Sequence, residues 1–574
     1  MKEFQGRTAF VTGGASGMGL AMAEALGREG MNVMLADIEE GALGRAVQAL
    51  RDKQIRCEGV VADVSSRASL RAAALETIAR FGKVHVVVNN AGVAVSAPME
   101  RLTEDDWRWV LDVNLKGVAN GVEIFVPLIE SHGEGGHIVN TASLAGLFTG
   151  PGIEPYSATK YAVVGMSEGW RAELKSRNIG VSVLCPALVN TNILDSYRNR
   201  PDAYGGARAL GEAQRDRVRQ MMDQGGMPAS VVAMAVLEAV KADTLYIIPH
   251  PEYRAVVEPR LEAIERGFDR AEKSPALNGA SAAPTGSMSG KTVFITGGAS
   301  GIGLGMAQAF GAEGANVMIA DVQAGALPRA LELLRARQIR AEGVVCDVTS
   351  RDSVRAAALG TIAKFGKVHF VCNNAGVAIM APIAEMSEAE WDWQTAVNIL
   401  GVVHGVETFA PLIAAHGEGG HIVNTASGAG LVCGPQVQYS ATKYAVVAMS
   451  EGWREQLKGR KIGVSVLCPG YVNTRIMESR RNRGADFGGP GQDPAGAGRI
   501  LAERGIDPLV VGQRVVEAVK ADEDYVLTHW DFRDAVEKRH RRIRAAFDYW
   551  EKSPAINTLP KRAPPPMGVL RATE

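Results

Sequence analysis

The feature that most constrains this chain is that it carries one long pattern twice. Residues 12–43 ("TGGASGMGLAMAEALGREGMNVMLADIEEGAL") match residues 296–327 ("TGGASGIGLGMAQAFGAEGANVMIADVQAGAL") at 22 of 32 positions. The offset of 284 holds through "NNAGVA" and "HGEGGHIVNTAS", drops to 283 before the second "YSATK", and reaches 279 at "EKSPALN"/"EKSPAIN". A period this long makes each unit a whole domain, not a solenoid repeat. The length agrees, because a single core stops growing near about 250–300 residues and this chain has 574. We expect domains at 1–277 and 291–557, joined by the small, polar linker 278–290 ("NGASAAPTGSMSG"). Within it Met288 resembles a former start residue, as if two coding regions had been joined. The Pro-rich tail 558–574 is expected to be disordered.

Inside each copy, short apolar runs ("TAFVTGG", "NVMLADI", "VHVVVNNAG", "GHIVNTAS", "IGVSVLCP") end in Gly, Asp, Asn or Pro. Helical stretches such as "SLRAAALETIARFG" separate them. Runs that do not alternate, set between helices, indicate a parallel sheet buried on both faces. The fold class is therefore α/β, two Rossmann-like doubly wound parallel-sheet domains in tandem, with ligands at the carboxyl ends of the strands. A net charge of −1 provides no field that would draw nucleic acid or an anionic membrane. Six cysteines without a C-x-x-C pair argue against a disulfide scaffold and a structural zinc, and Cys185 and Cys468 read as small buried thiols. No long apolar leader opens the chain and no run approaches ~18 continuous apolar residues. A cytoplasmic setting is expected.

The first strand of each copy runs into a glycine turn, Gly13, Ser16, Gly17, Met18 and Gly19, and again Gly297, Ser300, Gly301, Ile302 and Gly303. Such a turn lets backbone N–H groups approach a pyrophosphate at a helix N-terminus. A second strand then ends in Asp37 or Asp321, placed to accept hydrogen bonds from ribose hydroxyls and to repel an extra phosphate. The residues that follow, Ile38 and Val322, bring no cation, so the expected cofactor is NAD rather than NADP.

These residues resemble the short-chain dehydrogenase/reductase family over nearly the whole chain, twice. The resemblance rests on T-G-x-x-x-G-x-G at Thr12–Gly19 and Thr296–Gly303, on Asp63-Val64 and Asp347-Val348, and on N-N-A-G at Asn89–Gly92 and Asn373–Gly376. It implies catalytic sets Asn114, Ser143, Tyr156, Lys160 and Asn398, Ser427, Tyr439, Lys443. It also implies cofactor contacts at Asp63, Val64, Asn90, Ala91, Gly92, Tyr156, Lys160, Pro186, Val189 and Thr191. Their counterparts are Asp347, Val348, Asn374, Ala375, Gly376, Tyr439, Lys443, Pro469, Val472 and Thr474. No metal is expected. The implied reaction moves a hydride between a secondary alcohol and the nicotinamide, with Tyr exchanging the proton. A free phenol near pKa 10 is a poor base. The Lys one helical turn on is expected to lower it by roughly two units, with Ser holding the substrate oxygen and Asn orienting a water.

The copies differ at points that bear on function. Thirteen residues separate Ser143 from Tyr156, but twelve separate Ser427 from Tyr439, and Pro469-Gly470 faces Pro186-Ala187. The segments after Thr191 and Thr474 diverge most; there Arg198, Arg200, Arg480 and Arg481 read as solvated lid residues rather than anion receptors. "HGEGGH" (132–137 and 416–421) reads as a turn rather than a metal site. Of each pair Trp107/Trp109 and Trp391/Trp393, one member is expected to pack inside. Apolar lining candidates Val93, Leu144, Phe148, Leu188, Val377, Val432 and Tyr471 suggest a bulky or aromatic alcohol or ketone. The resemblance also implies pairing of the halves as a pseudo-dimer and a homodimer of chains, with no nucleic-acid or membrane partner. Two alternatives stay open: a two-site alcohol epimerase working through a ketone, and a second half that is a non-catalytic structural partner.

Overall fold

The computed structural model describes residues 1, 3–207, 216, 220, 225–280, 285–379 and 386–557. The tail 558–574 and linker residues 281–284, on which two of the expectations fall, lie outside the described residues.

In the first copy seven strands form one parallel sheet: β1 (Thr8–Thr12), β2 (Asn32–Asp37), β3 (Cys57–Val61), β4 (Val86–Asn89), β5 (Gly136–Thr141), β6 (Ile179–Leu184) and β7 (Tyr246–Ile247). Their spatial order is β3-β2-β1-β4-β5-β6-β7. The second copy repeats this with β8 (Thr292–Thr296), β9 (Asn316–Asp321), β10 (Ala341–Val345), β11 (Phe370–Asn373), β12 (Gly420–Thr425), β13 (Ile462–Cys468) and β14 (Tyr525–Leu527), in the order β10-β9-β8-β11-β12-β13-β14. β1 and β4 are buried along their whole length, which is why their sequences do not alternate. The edge strand β3 does alternate. The order reverses direction between β1 and β4, and again between β8 and β11, so a crevice opens there at the carboxyl ends.

The chain forms two compact units whose limits differ from those of the repeats. One comprises Met1–Glu258 with the segment from His540 onward; the other comprises Pro259–Arg539. The limits fall inside the closing helices Arg254–Glu272 and Arg533–Glu551. In the first unit Trp550 donates its indole N–H to the Tyr246 carbonyl (2.6 Å) and Ser553 donates to Glu238 (2.7 Å). In the second unit the equivalent Ser274 donates to Glu517 (2.5 Å).

Both members of each tryptophan pair are buried, not one. Helix Glu104–Leu111 leads into a π-helical turn, Asp112–Lys116, and is covered on a second side, where Trp109 meets Tyr197 at 5.6 Å. Among the described residues, one continuous helical stretch, Glu388–His416, is long and apolar enough to cross a membrane. Most of it is buried in its own unit, and a π turn at Ala396–Leu400 interrupts it. All six cysteines are free, with Cys185 and Cys468 fully buried.

Candidate active site

The glycine turn is dictated by space. Gly13 has φ +61°, and a Cβ on Gly19 would stand 2.0 Å from the Gly13 carbonyl oxygen, so no larger residue fits. Gly303 repeats this at 2.1 Å from Gly297. Thr191 and Thr474 close over the turns, within 3.0 Å of where a Cβ on Gly17 or Gly301 would lie. The helices Gly17–Arg28 and Gly301–Ala312 begin there, capped by extended Ser16 and Ser300.

Asp37 is held at the end of β2 by the N–H groups of Ala15 (2.9 Å) and Glu39 (3.0 Å). Asp321 is held in the same way by Ala299 (3.1 Å) and Gln323 (3.0 Å). Further along the cleft, Asp63 accepts from the Ser65 N–H (2.9 Å) and Asp347 from the Thr349 N–H (2.9 Å). In the N-N-A-G segment Asn90 serves the scaffold. Its amide donates to the Thr12 carbonyl (3.1 Å), while its own N–H and that of Ala91 donate to Thr12 Oγ1 (2.9 and 3.0 Å). Asn374, Ala375 and Thr296 repeat the set.

The catalytic candidates gather at the inner end. Ser143 donates to the Pro186 carbonyl (3.2 Å) and accepts from the Ala145 N–H (3.1 Å); Ser427 does the same with Pro469 (3.5 Å) and Ala429 (3.1 Å). Lys160 donates to the Thr141 carbonyl (3.0 Å), and its ammonium stands 5.4 Å from the Tyr156 ring centre. Lys443 donates to Thr425 (3.0 Å) and stands 5.6 Å from the Tyr439 ring. Burial pushes both phenols up to about 12, with the hydrogen bond to Ser143 or Ser427 acting in the opposite direction. Burial also pushes both lysines down to about 8. The expected lowering of the phenol is therefore not what the protein alone produces, because desolvation outweighs the serine hydrogen bond.

Asn114 and Asn398 sit in the π turns, fully buried. Asn114 accepts from the Val93 N–H (2.8 Å) and donates to the Val93 carbonyl (2.8 Å) and Thr159 Oγ1 (3.2 Å). Both amide protons are spent, so the side chain clamps the chain at Val93 and has only oxygen lone-pair capacity left for a water. Asn398 is bound likewise to Val377 and Thr442.

The residue missing from the second Ser–Tyr interval is absorbed before the helix. Helices Glu154–Leu174 and Val437–Leu457 each start two residues ahead of their tyrosine, and the Lys–Tyr spacing is the same. Ala187 also substitutes for Gly470 without loss. Ala187 N–H donates to His250 Nδ1 (3.1 Å) and Gly470 N–H to His529 Nδ1 (3.0 Å). Those histidines, which the sequence reading missed, also bond the carbonyls of Leu188 (3.2 Å) and Tyr471 (2.9 Å) and so pin the strand exit beside the serines. Their signal was recurrence at the same offset of 279 as the closing helices.

Most of the predicted cofactor residues line one cleft per copy. In the second copy it runs from Gly297 and Asp321 to Ser427, Tyr439 and Lys443, with a volume of about 840 Å³. A described pocket of about 160 Å³ in the first copy takes in Gly13, Asp37, Asp63 and Gly92. Gly19 and Gly303 lie beneath their turns, and Val189 is buried against Met227. Val377, Val432 and Tyr471 line the second cleft and Val93 the first pocket, whereas Leu144 is packed inside.

Arg200 and Arg480 differ from the solvated reading. The Arg200 side chain is wholly buried, paired with Asp106 (2.5 Å) and lying 5.6 Å from the Trp109 and Tyr197 rings. Arg480 bridges Glu390 (2.8 Å) and Asp493 (3.3 Å), and Arg198 pairs with Glu39 (2.8 Å). Arg481 donates to the carbonyls of Arg475 and Glu478. Arg200 and Arg480 brace this segment from within, whereas Arg198 and Arg481 stay half-buried and line the first pocket and the second cleft. In "HGEGGH", His132 and Glu134 meet His85, and His416 and Glu418 meet His369. His85 Nδ1 accepts the Thr8 N–H (3.2 Å), so Nε2 carries the proton it gives to Glu134 (2.9 Å) and is not free to ligate a metal.

The short chain dehydrogenase family matches residues 7–202 and 291–484. The chain belongs to this family. Among similar dehydrogenases, a C alpha-dehydrogenase of Sphingobium sp. (strain NBRC 103272 / SYK-6) is 37% identical over 276 residues, spanning 48% of this chain and 90% of that protein. A CLA biosynthesis dehydrogenase/reductase of Lactiplantibacillus plantarum is 32% identical, spanning 46% and 95%. A solved short chain dehydrogenase/reductase from Burkholderia phymatum, in complex with NAD, is 41% identical over 46% of this chain and 96% of its own, with a TM-score of 0.44. This short-chain dehydrogenase is thus an oxidoreductase of the NAD(P)-dependent alcohol/ketone type, with two family segments in one polypeptide.

Proposed function

We propose that both halves are catalytic, each interconverting a secondary alcohol and a ketone with NAD. The observation that carries this is the duplicated Ser–Tyr–Lys geometry, closed at the far end of the cleft by a fixed carboxylate, Asp37 or Asp321. The glycine turn fits a dinucleotide, since the missing Cβ atoms leave backbone N–H groups open at a helix N-terminus. The carboxylates favour ribose hydroxyls over a second phosphate. When bound, NAD supplies the hydride acceptor or donor.

The protein's own part is proton transfer and orientation. In the reducing direction the Tyr156 hydroxyl, held protonated by burial, gives its proton to the substrate oxygen as the carbonyl carbon gains a hydride. In the oxidising direction the phenolate takes that proton back. Ser143 offers its hydroxyl to the same oxygen, and Lys160 stabilises the phenolate while anchored to Thr141. Ser427, Tyr439 and Lys443 repeat these roles. The shorter Ser–Tyr interval that favoured an inert second half has no counterpart in the site geometry.

Single-site variants test this. Tyr156→Phe and Tyr439→Phe should each lose about 10²–10⁴ in the turnover of their own half and leave the other half working. NADH absorbance with a panel of secondary alcohols reads the result. Wild-type rates from either variant would refute a second working site. With a single alcohol enantiomer and substoichiometric NAD⁺, an epimerase would convert it to the opposite hand only when both tyrosines are present.

A further inference from the structure

The second cleft has an aromatic wall whose support comes from the other repeat. Phe532 lines the cleft together with Trp393, Tyr471 and Phe487. Its ring tip lies beside the residue after Ser427: a Cβ on Gly428 would stand 3.1 Å from Phe532 Cζ. Behind it, Phe268 meets the ring edge-to-face, with centroids 5.2 Å apart and planes at 72°. Phe268 is fully buried and comes from helix Arg254–Glu272, which closes the first repeat.

That helix is fastened to the same compact unit at several points. Arg260 donates to Glu451 (2.9 Å) on the helix that carries Tyr439 and Lys443. Arg270 donates to Asp524 (2.5 Å), and the Ala276 N–H to Glu517 (2.9 Å). The first repeat has a different wall. Leu144 stands where Gly428 does, and Tyr253, the counterpart of Phe532, stacks on Phe148 at 6.4 Å.

We propose that Phe532 makes the second site selective for alcohols and ketones bearing an aryl group at the reacting carbon, and that Phe268 is its positioning residue, supplied by the first repeat. This rests on the reading of the second half as an alcohol/ketone site. An aryl group set beside Ser427 gains ring–ring contact that a small alkyl group does not. A wall held only by a phenylalanine edge shifts when that edge is removed.

The test uses the full chain in a Tyr156→Phe background, so that turnover comes from the second site. Phe268→Leu should raise KM for 1-phenylethanol about three- to fivefold, keep kcat within about twofold, and leave KM for 2-butanol unchanged; Phe532→Leu should raise the aryl KM about tenfold. Phe268→Tyr, which keeps the ring edge, should restore the aryl KM. In a Tyr439→Phe background Phe268→Leu should change nothing. Equal effects on both alcohols, or on both sites, would overturn the proposal. If Phe268→Leu lowers the melting temperature too far, Gly428→Ala displaces the same ring from its other side and should reproduce the aryl-selective rise.

Should the Tyr156→Phe protein oxidise neither alcohol, the alcohol/ketone reading itself has failed. Calorimetric titration of acetophenone into the protein with NADH, which needs no turnover, then decides the wall. Phe268→Leu must weaken that binding about three- to fivefold, and an unchanged Kd ends the inference.

Discussion

Tyr156 and Tyr439 stand between opposed effects, a serine hydrogen bond and a dry environment, and in the protein alone the dry environment wins. Their hydroxyls therefore keep their protons across the neutral range. A third buried acid lies close by. Glu154, two residues before Tyr156, accepts the Gly152 N–H (3.1 Å), and burial pushes its carboxyl up to about 7. The folded state keeps this proton after the unfolded chain has lost it, so stability falls as pH rises from the ordinary carboxyl range toward 7. Glu154→Gln keeps the acceptor and removes the ionisation. The variant should gain a few degrees in melting temperature over wild type at about pH 8 and little at about pH 5, measured by calorimetry. Parallel melting-temperature curves would contradict this. The second copy carries Val437 at the aligned position, so the effect belongs to one half.

Among elements, the strand–turn–helix at the head of each copy has the least freedom. Gly19→Ala places a methyl where the Gly13 carbonyl oxygen already is, 2.0 Å away. The turn must open, at a cost of about 1–3 kcal/mol. We expect at least a tenfold weaker Kd for NADH at the first site, read by fluorescence titration, with the second site's affinity unchanged. The helices bearing Tyr156 and Tyr439 behave differently, because the loop ahead of each absorbs a difference of one residue while the helix keeps its seat. That tolerance follows from where the anchors lie. Lys160 and Lys443 bind strand ends, Thr141 and Thr425, and the loop contributes none of these contacts.

For the whole molecule, the fact with most consequence is that repeats and compact units have different limits. A fragment 288–574 has the sequence of the second repeat but lacks Arg260, Phe268, Arg270 and Ser274, all of which pack in the second unit. It should melt several degrees below a Pro259–Arg539 fragment, which holds the complete unit, when both are followed by circular dichroism. A fragment cut at the repeat boundary is therefore a poor test of the second site. Single-tyrosine variants of the intact chain are the better one.

What the sequence alone determined is whatever short-range rules encode. Unbroken apolar runs between helices specified a parallel sheet, and glycines at fixed spacing specified a turn that tolerates no side chain. A Tyr and a Lys four apart placed themselves on one helical face, and duplication doubled all three. What only the tertiary structure decided are matters of which surfaces meet. The partners Arg260 and Glu451 are 191 residues apart, and Arg200 and Asp106 are 94 apart. The burial of both tryptophans in each pair, the use of Arg200 and Arg480 as internal braces and the balance at the tyrosines have the same origin. Each depends on desolvation and packing between distant segments, and periodicity along the chain carries no record of those.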